Sequence, residues 1–126
     1  MSNPSITDRL ESMFDAVCDT AEAQRRLSAN PLRQHFVLEL DDGESVTVTM
    51  TPHTPTLSVE PGRVEGEATF ETTTISISRD VLRAVLEGDN LSPYYLDGRV
   101  DVRGLQPAWL LLGRLFGINH ELQAGA

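Results

Sequence analysis

The chain contains no lysine. All ten of its basic residues are arginines, which excludes Schiff-base and catalytic-lysine chemistry. Cysteine is nearly absent too. With Cys18 alone, no intrachain disulfide can form, and its place beside Val17 on a helical pattern makes it a small core residue. Histidine occurs three times, at His35, His53 and His120. These lie far apart, at no spacing suited to a metal on one helix or hairpin. Long hydrophobic runs are also missing. The densest, Trp109-Leu110-Leu111-Leu112, is broken at once by Gly113 and Arg114, far short of the roughly 20 apolar residues that span a bilayer. The start of the chain has no basic stretch followed by an apolar one, so no secretory signal is expected. The end, Gln123 to Ala126, carries no peroxisomal or prenylation signal. A cytoplasmic protein without integral membrane contact is expected. No glycine-rich phosphate loop follows a strand, and no serine sits in a nucleophile elbow. Catalytic residues, metal and cofactor are therefore all expected to be none.

The charge that is present is lopsided. Nineteen Asp and Glu against ten Arg give a formal net charge of −9. Such a surface repels polyanions, so no nucleic acid is expected as a partner. The acidic residues are scattered on polar faces and read as solvated surface rather than as a catalytic pair. A length of 126 residues with 40% hydrophobic content suits one domain over residues 1–126 with one core.

Periodicity supplies the elements. Ile6, Leu10, Met13, Phe14, Val17 and Ala21 recur at helical spacing and predict one helix from about Asp8 to Leu27. Thr7 or Asp8 would cap it, and Asn30-Pro31 would stop it. Phe36, Leu38 and Leu40 alternate, Asp42-Gly43 makes a hairpin turn, and Val46, Val48 and Met50 alternate with outward threonines. This is a sheet with one wet face. Leu57 and Val59 form a third strand. A fourth, threonine-rich, runs from Ala68 to Ile77. Its apolar parity switches between Phe70 and Ile75, predicting a bulge near Thr72 to Thr74. Ser78 caps a helix bearing Val81, Leu82, Val85 and Leu86 on one face, and Gly88 ends it. Ser92 with Pro93 at the first helical position opens a short turn through Tyr94, Tyr95 and Leu96. Arg99 to Arg103 is a fifth strand with Val100 and Val102 inward. A last helix starts at Pro107 and ends at Gly117 and Asn119. The order is that of an α+β domain with helices on one face of a mostly antiparallel sheet.

One succession here is distinctive. "TISISRDVLRAVLEGD" leads from strand to helix, "LSPYYLDG" is a proline-bearing aromatic turn, "GRVDVRG" is a strand between glycines, and "LQPAWLLLGRLF" is a closing helix. From about Glu67 to Phe116 the chain resembles the sterol carrier protein 2 family of lipid-binding domains, as a bacterial-type stand-alone member. The hairpin "FVLELDDGESVTVTM" and the first helix fit the same layout. Leu105 stands where the family more often has a small polar residue, the loop from Gly88 to Gly98 is tighter than in animal members, and no peroxisomal tripeptide ends the chain. The resemblance implies a five-stranded sheet with helices on one face enclosing an apolar tunnel, and a role in binding or carrying sterols, fatty acids, acyl-CoAs or other hydrophobic molecules.

The stretch from Ser78 to Phe116 carries more apolar helix surface than a small core needs, and the last helix is apolar nearly all round. Leu82, Val85, Leu86, Leu91, Trp109, Leu112, Leu115 and Phe116 are the candidate walls of a ligand tunnel, with Tyr94 and Tyr95 at its mouth, each with an apolar body and one polar tip. The expected function is binding and carriage of a hydrophobic small molecule, polyketide-like molecules included. Two alternatives stand beside it. One is a small isomerase or cyclase acting on a hydrophobic intermediate through a tyrosine or a buried acid or base. The other is an interaction module in which the last helix forms a homodimer interface.

Overall fold

The computed structural model describes residues 5–63, 71–104 and 106–125. Helices α1 (Ile6–Cys18) and α2 (Ala21–Ala29) come first, then strands β1 (Gln34–Leu40), β2 (Ser45–Met50), β3 (Leu57–Pro61) and β4 (Glu71–Ile77). Helices α3 (Arg79–Leu86) and α4 (Leu91–Leu96), strand β5 (Val100–Arg103) and helix α5 (Gln106–Ala124) complete the chain. The five strands form one sheet in the order β3-β2-β1-β4-β5. Three of its pairings are antiparallel and one, β1 with β4, is parallel. The α+β class and the mostly antiparallel sheet agree with the periodicity.

Local chemistry corrects several boundaries. The single N-terminal helix is two. Thr20 interrupts it, because its hydroxyl donates to the Val17 carbonyl (2.7 Å) and accepts from the Ala23 N–H (3.2 Å). A threonine offering the backbone these bonds ends one helix and caps the next. The cap of α1 is Ser5, whose Oγ accepts from the Asp8 N–H, rather than Thr7 or Asp8. Asn90, not Ser92, caps α4, which moves Pro93 to the third helical position. The bulge expected near Thr72 to Thr74 is not there: β1 and β4 pair without interruption from Gln34↔Glu71 to Leu40↔Ile77. Ala68 and Phe70, expected in the same strand, lie outside the described residues.

The last helix also passes through its two expected stops. Gly117 and Asn119 lie inside α5, which continues to Ala124. Asn119 is buried, and its Nδ2 donates to the Val85 carbonyl at 3.0 Å. His120 Nδ1 lies 2.6 Å from the Gly88 carbonyl. The second half of α5 thus bonds to the end of α3 and to the glycine beyond it: the Val85 carbonyl, which also accepts from the Gly88 N–H at 3.0 Å, and the Gly88 carbonyl.

One face of the sheet holds the core. Phe36, Leu38, Val46, Val48, Met50, Ile75 and Ile77 pack with Leu10, Phe14 and Val17 of α1 and with the buried faces of α3 and α5. Phe14 and Phe116 meet edge to face, with centroids 5.6 Å apart, the arrangement that ring quadrupoles favour. Cys18 is buried here, and burial pushes its thiol up from the ordinary value. The opposite face is drier than a solvated sheet. Val37, Thr47 and His35 are all buried on it. After β3 the chain turns onto this face: Thr47 Oγ1 donates to the Gly62 carbonyl (2.8 Å), and Arg63 pairs with Glu39. His35 sits on the central strand, with Nδ1 2.9 Å from Thr49 Oγ1. His53 lies in the β2–β3 loop and ties it to α2 through the Ser28 carbonyl.

Charged clamps join the layers. Arg114 of α5 forks onto Glu22 of α2 through Nε and Nη2, at 2.6 and 2.9 Å, and also reaches Glu121. Arg79 binds Asp42 at 2.7 Å and Glu44, while its N–H donates to Asp41, fastening the β1–β2 turn to the start of α3. Arg79 holds the Asp42 carboxyl below its usual range.

Two outcomes follow. Gly104 has φ +150°, and a Cβ there would lie 2.5 Å from Thr73 Oγ1 and 2.7 Å from Thr73 Cα. Gly104→Ala should therefore lower the urea midpoint by the equivalent of about 1–3 kcal/mol; an unchanged midpoint would contradict this close approach. The second concerns acid. Hydrogen bonds from Arg114, then Arg26, hold Glu22 at about 2 against an ordinary 4.5. A carboxylate with a depressed folded pKa stabilises the protein above its unfolded value and loses that contribution as pH falls through the folded one. Circular dichroism should show stability declining between about pH 4.5 and about 2, and Glu22→Gln should flatten that decline. An unchanged acid profile in the variant would remove Glu22 from the account.

Candidate ligand-binding site

Amphipathic spacing decides which side chains meet between the helices and the sheet. On α3, Val81, Leu82, Val85 and Leu86 fall on one buried face. On α5 the buried set is Ala108, Trp109, Leu112, Leu115, Phe116, Ile118 and Asn119. The α5 sequence is apolar all round but its environment is not: Leu110 is 61% exposed on the side away from the core.

These faces enclose a small void. Leu82 and Val85 of α3, Leu91 of α4, and Trp109 and Phe116 of α5 form its helical walls, and Leu38, Ile75, Ile77 and Val100 form its floor. Its volume is about 10 Å³, close to the least that admits one water. None of the nine lining side chains carries a titratable group.

Five of the ten tunnel residues expected from sequence therefore converge on this void. Leu86, Leu112 and Leu115 are buried in the same core cluster but are not on its wall. The floor was missed. Strand alternation gives Leu38, Ile75, Ile77 and Val100 their inward parity, but it carries no sign that β1, β4 and β5 lie side by side.

The two tyrosines separate. Tyr94 turns its hydroxyl onto Asp89 Oδ2 at 2.5 Å, and its ring lies under the Arg99 guanidinium, 5.3 Å from the centroid. That hydrogen bond pushes the Tyr94 phenol up and the Asp89 carboxyl down. Tyr95 packs against Trp109, centroids 5.3 Å apart. Outside the void, Leu91, Ser92, Tyr95, Trp109, Leu110 and Gly113 line a surface groove of about 250 Å³. Leu91 and Trp109 line both the void and the groove. They are the partition between the buried void and the outer groove. Beside them lies exposed apolar surface, with Leu110 at 61% and Tyr95 at 39%.

The frame around the void depends on α5 holding α3. Asn119→Leu keeps the branching of the side chain but removes the donor to the Val85 carbonyl. It should cost about 1 kcal/mol of unfolding free energy in urea, and no loss would show that this bond does not anchor the helix.

No protein-family model and no curated protein sequence matches the chain. Solved structures do. The UbiJ-SCP2 ubiquinone synthesis protein superposes with a TM-score of 0.67 at 17% identity, over 90% of this chain and 95% of that one. The sterol carrier protein domain 2 of Helicoverpa armigera gives 0.61 at 14% identity, over 95% and 94%. The apo form of sterol carrier protein 2 from Yarrowia lipolytica gives 0.56 at 15%, over 94% and 89%. At these identities the likeness is one of fold. The chain has the sterol carrier protein 2 fold, as the succession of motifs from Glu67 to Phe116 implied.

Proposed function

We propose that this single domain binds and carries a hydrophobic small molecule between the sheet and helices α3, α4 and α5. The observation that carries the reading is the shared partition: Leu91 and Trp109 separate an all-apolar interior void from an apolar surface groove. Displacing these two side chains joins the two spaces. The fold supports the reading, since several proteins that share it are named as sterol carriers. Leu82, Val85, Leu91, Trp109 and Phe116 would line the ligand directly. Leu86, Leu112 and Leu115 would shape the wall from behind, and Tyr95 would stand at the mouth beside Trp109.

An interior of about 10 Å³ admits no lipid, and ligand pockets run to roughly 300–1,000 Å³. Binding therefore requires helix displacement, with α4 and the start of α5 parting from the sheet. No helix among the described residues is long and apolar enough to cross a membrane, so the cargo would be met in water or at a membrane surface. We place the protein in the cytoplasm.

Thermal shift and native mass spectrometry against fatty acids, acyl-CoAs, sterols and polyketide-like aromatics test this. A binder should show bound mass and a melting temperature that rises with ligand concentration, by the equivalent of about 2.7 kcal/mol at a hundredfold excess over Kd. Leu91→Ala should lower the stability of the free protein by about 2–5 kcal/mol and speed ligand entry. A protein that melts identically with every member of the panel would end the carrier reading.

A further inference from the structure

Gln34 occupies a position where the strand pattern calls for an apolar residue. It shares the inward parity of Phe36, Leu38 and Leu40 on β1, and it is fully buried. Its Nε2 donates to Thr73 Oγ1 at 2.8 Å and to the His35 carbonyl at 3.3 Å. Its Oε1 is buried with no hydrogen-bond partner among the described residues. Leaving a buried acceptor unpaired is unfavourable, and an apolar side chain of the same shape would avoid the loss. The amide is therefore a costly choice for a residue whose only task is packing.

Its neighbours give it a use. Thr73 lies on the inward face of β4, followed at the next inward positions by Ile75 and Ile77, which floor the void. In the parallel register Phe36 sits opposite Thr73, and Leu38 opposite Ile75. At about 3.3 Å per residue, Thr73 is roughly 7 Å from Ile75 along the strand. Thr73 thus stands one inward position beyond the void on β4, and Gln34, whose amide reaches it, stands two inward positions beyond Leu38 on β1, on the same sheet face. The close pass of Gly104 over Thr73 holds that end of the sheet in place.

We infer that Gln34 and Thr73 form the polar end of the ligand chamber, where Gln34 Oε1 accepts a hydrogen bond from the hydroxyl of an otherwise apolar ligand. The inference rests on the carrier reading and narrows it. The cargo is an alcohol or phenol with a long apolar body, held hydroxyl-first, with that body against Ile75, Leu82 and Trp109. Methyl ethers of the same molecules fill the same volume but bring no donor.

The test uses matched pairs: 1-dodecanol against 1-methoxydodecane, and 4-nonylphenol against 4-nonylanisole. Binding is read from the fluorescence of Trp109, the one tryptophan in the chain, and from native mass spectrometry. The wild type should bind each hydroxyl compound about tenfold more tightly than its ether. Gln34→Met should bring the ratio close to one through loss of affinity for the hydroxyl compounds. Should that variant fail to fold, Gln34→Asn, which withdraws the amide by one methylene, should reduce the ratio in the same way. A wild type that binds both members of each pair equally, or a ratio that survives in the folded variant, overturns the inference and leaves the carrier reading standing. Binding of neither member, together with a silent lipid panel, overturns both.

Discussion

The two halves of this chain meet at one seam, the parallel pairing of β1 with β4. Everything before it is two helices and a three-strand meander, and everything after it is a helical cover with one edge strand. Parallel strands cannot be joined by a tight turn, so the contact brings together residues that start 37 positions apart in sequence, Gln34 and Glu71. Once the seam is set, β4 delivers the chain through Ser78 into α3 over the inward face, and β5 returns antiparallel on its outer side. The seam also gathers the unusual chemistry of the core. Gln34 and Thr73 bond across it, and Gly104 passes against Thr73 more closely than any side chain would permit.

The helical cover is uneven in a way that bears on ligand entry. Helix α3 buries four side chains and α5 seven, while α4 buries only Leu91. At roughly 1.5–3 kcal/mol for a large apolar side chain, lifting α4 costs far less than lifting either neighbour. Beyond Leu91, α4 is held by the ring contact of Tyr95 with Trp109 and by two exposed contacts, the Tyr94–Asp89 bond and the Arg99 guanidinium over the Tyr94 ring. Exposed polar contacts of this kind contribute little against water. Gly88, at φ +108° just before α4, packs against Gln123 so closely that a Cβ would lie 2.4 Å from it. The chain is therefore pinned upstream of α4 and lightly held along it, which sets where a lid would bend.

Much of this was legible in sequence for a physical reason. Alternation in β1 and β2, the threonine-rich β4 and the helical face of α3 are period signals, and period survives translation into structure because burial enforces it. The failures also have causes. Thr20 splits a helix whose apolar pattern continues across it, because a hydroxyl bonding to the backbone leaves no mark on periodicity. Asn119 reads as a stop by type, yet its amide donates to the Val85 carbonyl 34 positions away. The burial of Val37 and Thr47 has no local signature: the contacts on that second face, such as Thr47 with Gly62 and Glu39 with Arg63, are long-range. At the candidate site, the helical walls were legible as surplus apolar surface, whereas the floor required knowing that β1, β4 and β5 lie side by side. Gln34 was visible as a polar residue at an inward position, but its meaning depends on Thr73, which only the parallel register brings near.

The same register bears on what kind of cargo the interior can distinguish. An all-apolar chamber ranks molecules by size and shape, and one methylene more or less changes affinity only modestly. A single buried acceptor changes the basis of selection, because a ligand that fails to satisfy it leaves both the lost bond and the desolvation cost in place. Val85, Ile77 and Val100 would set how wide a body is admitted, and Gln34 would set which end goes in first. In a domain of −9 charge that repels anionic headgroups from its surface, a neutral polar terminus is also the one that can approach the Leu91–Trp109 partition without an electrostatic penalty. The surface charge and the buried amide therefore favour the same chemistry, a neutral hydroxyl on a long apolar frame.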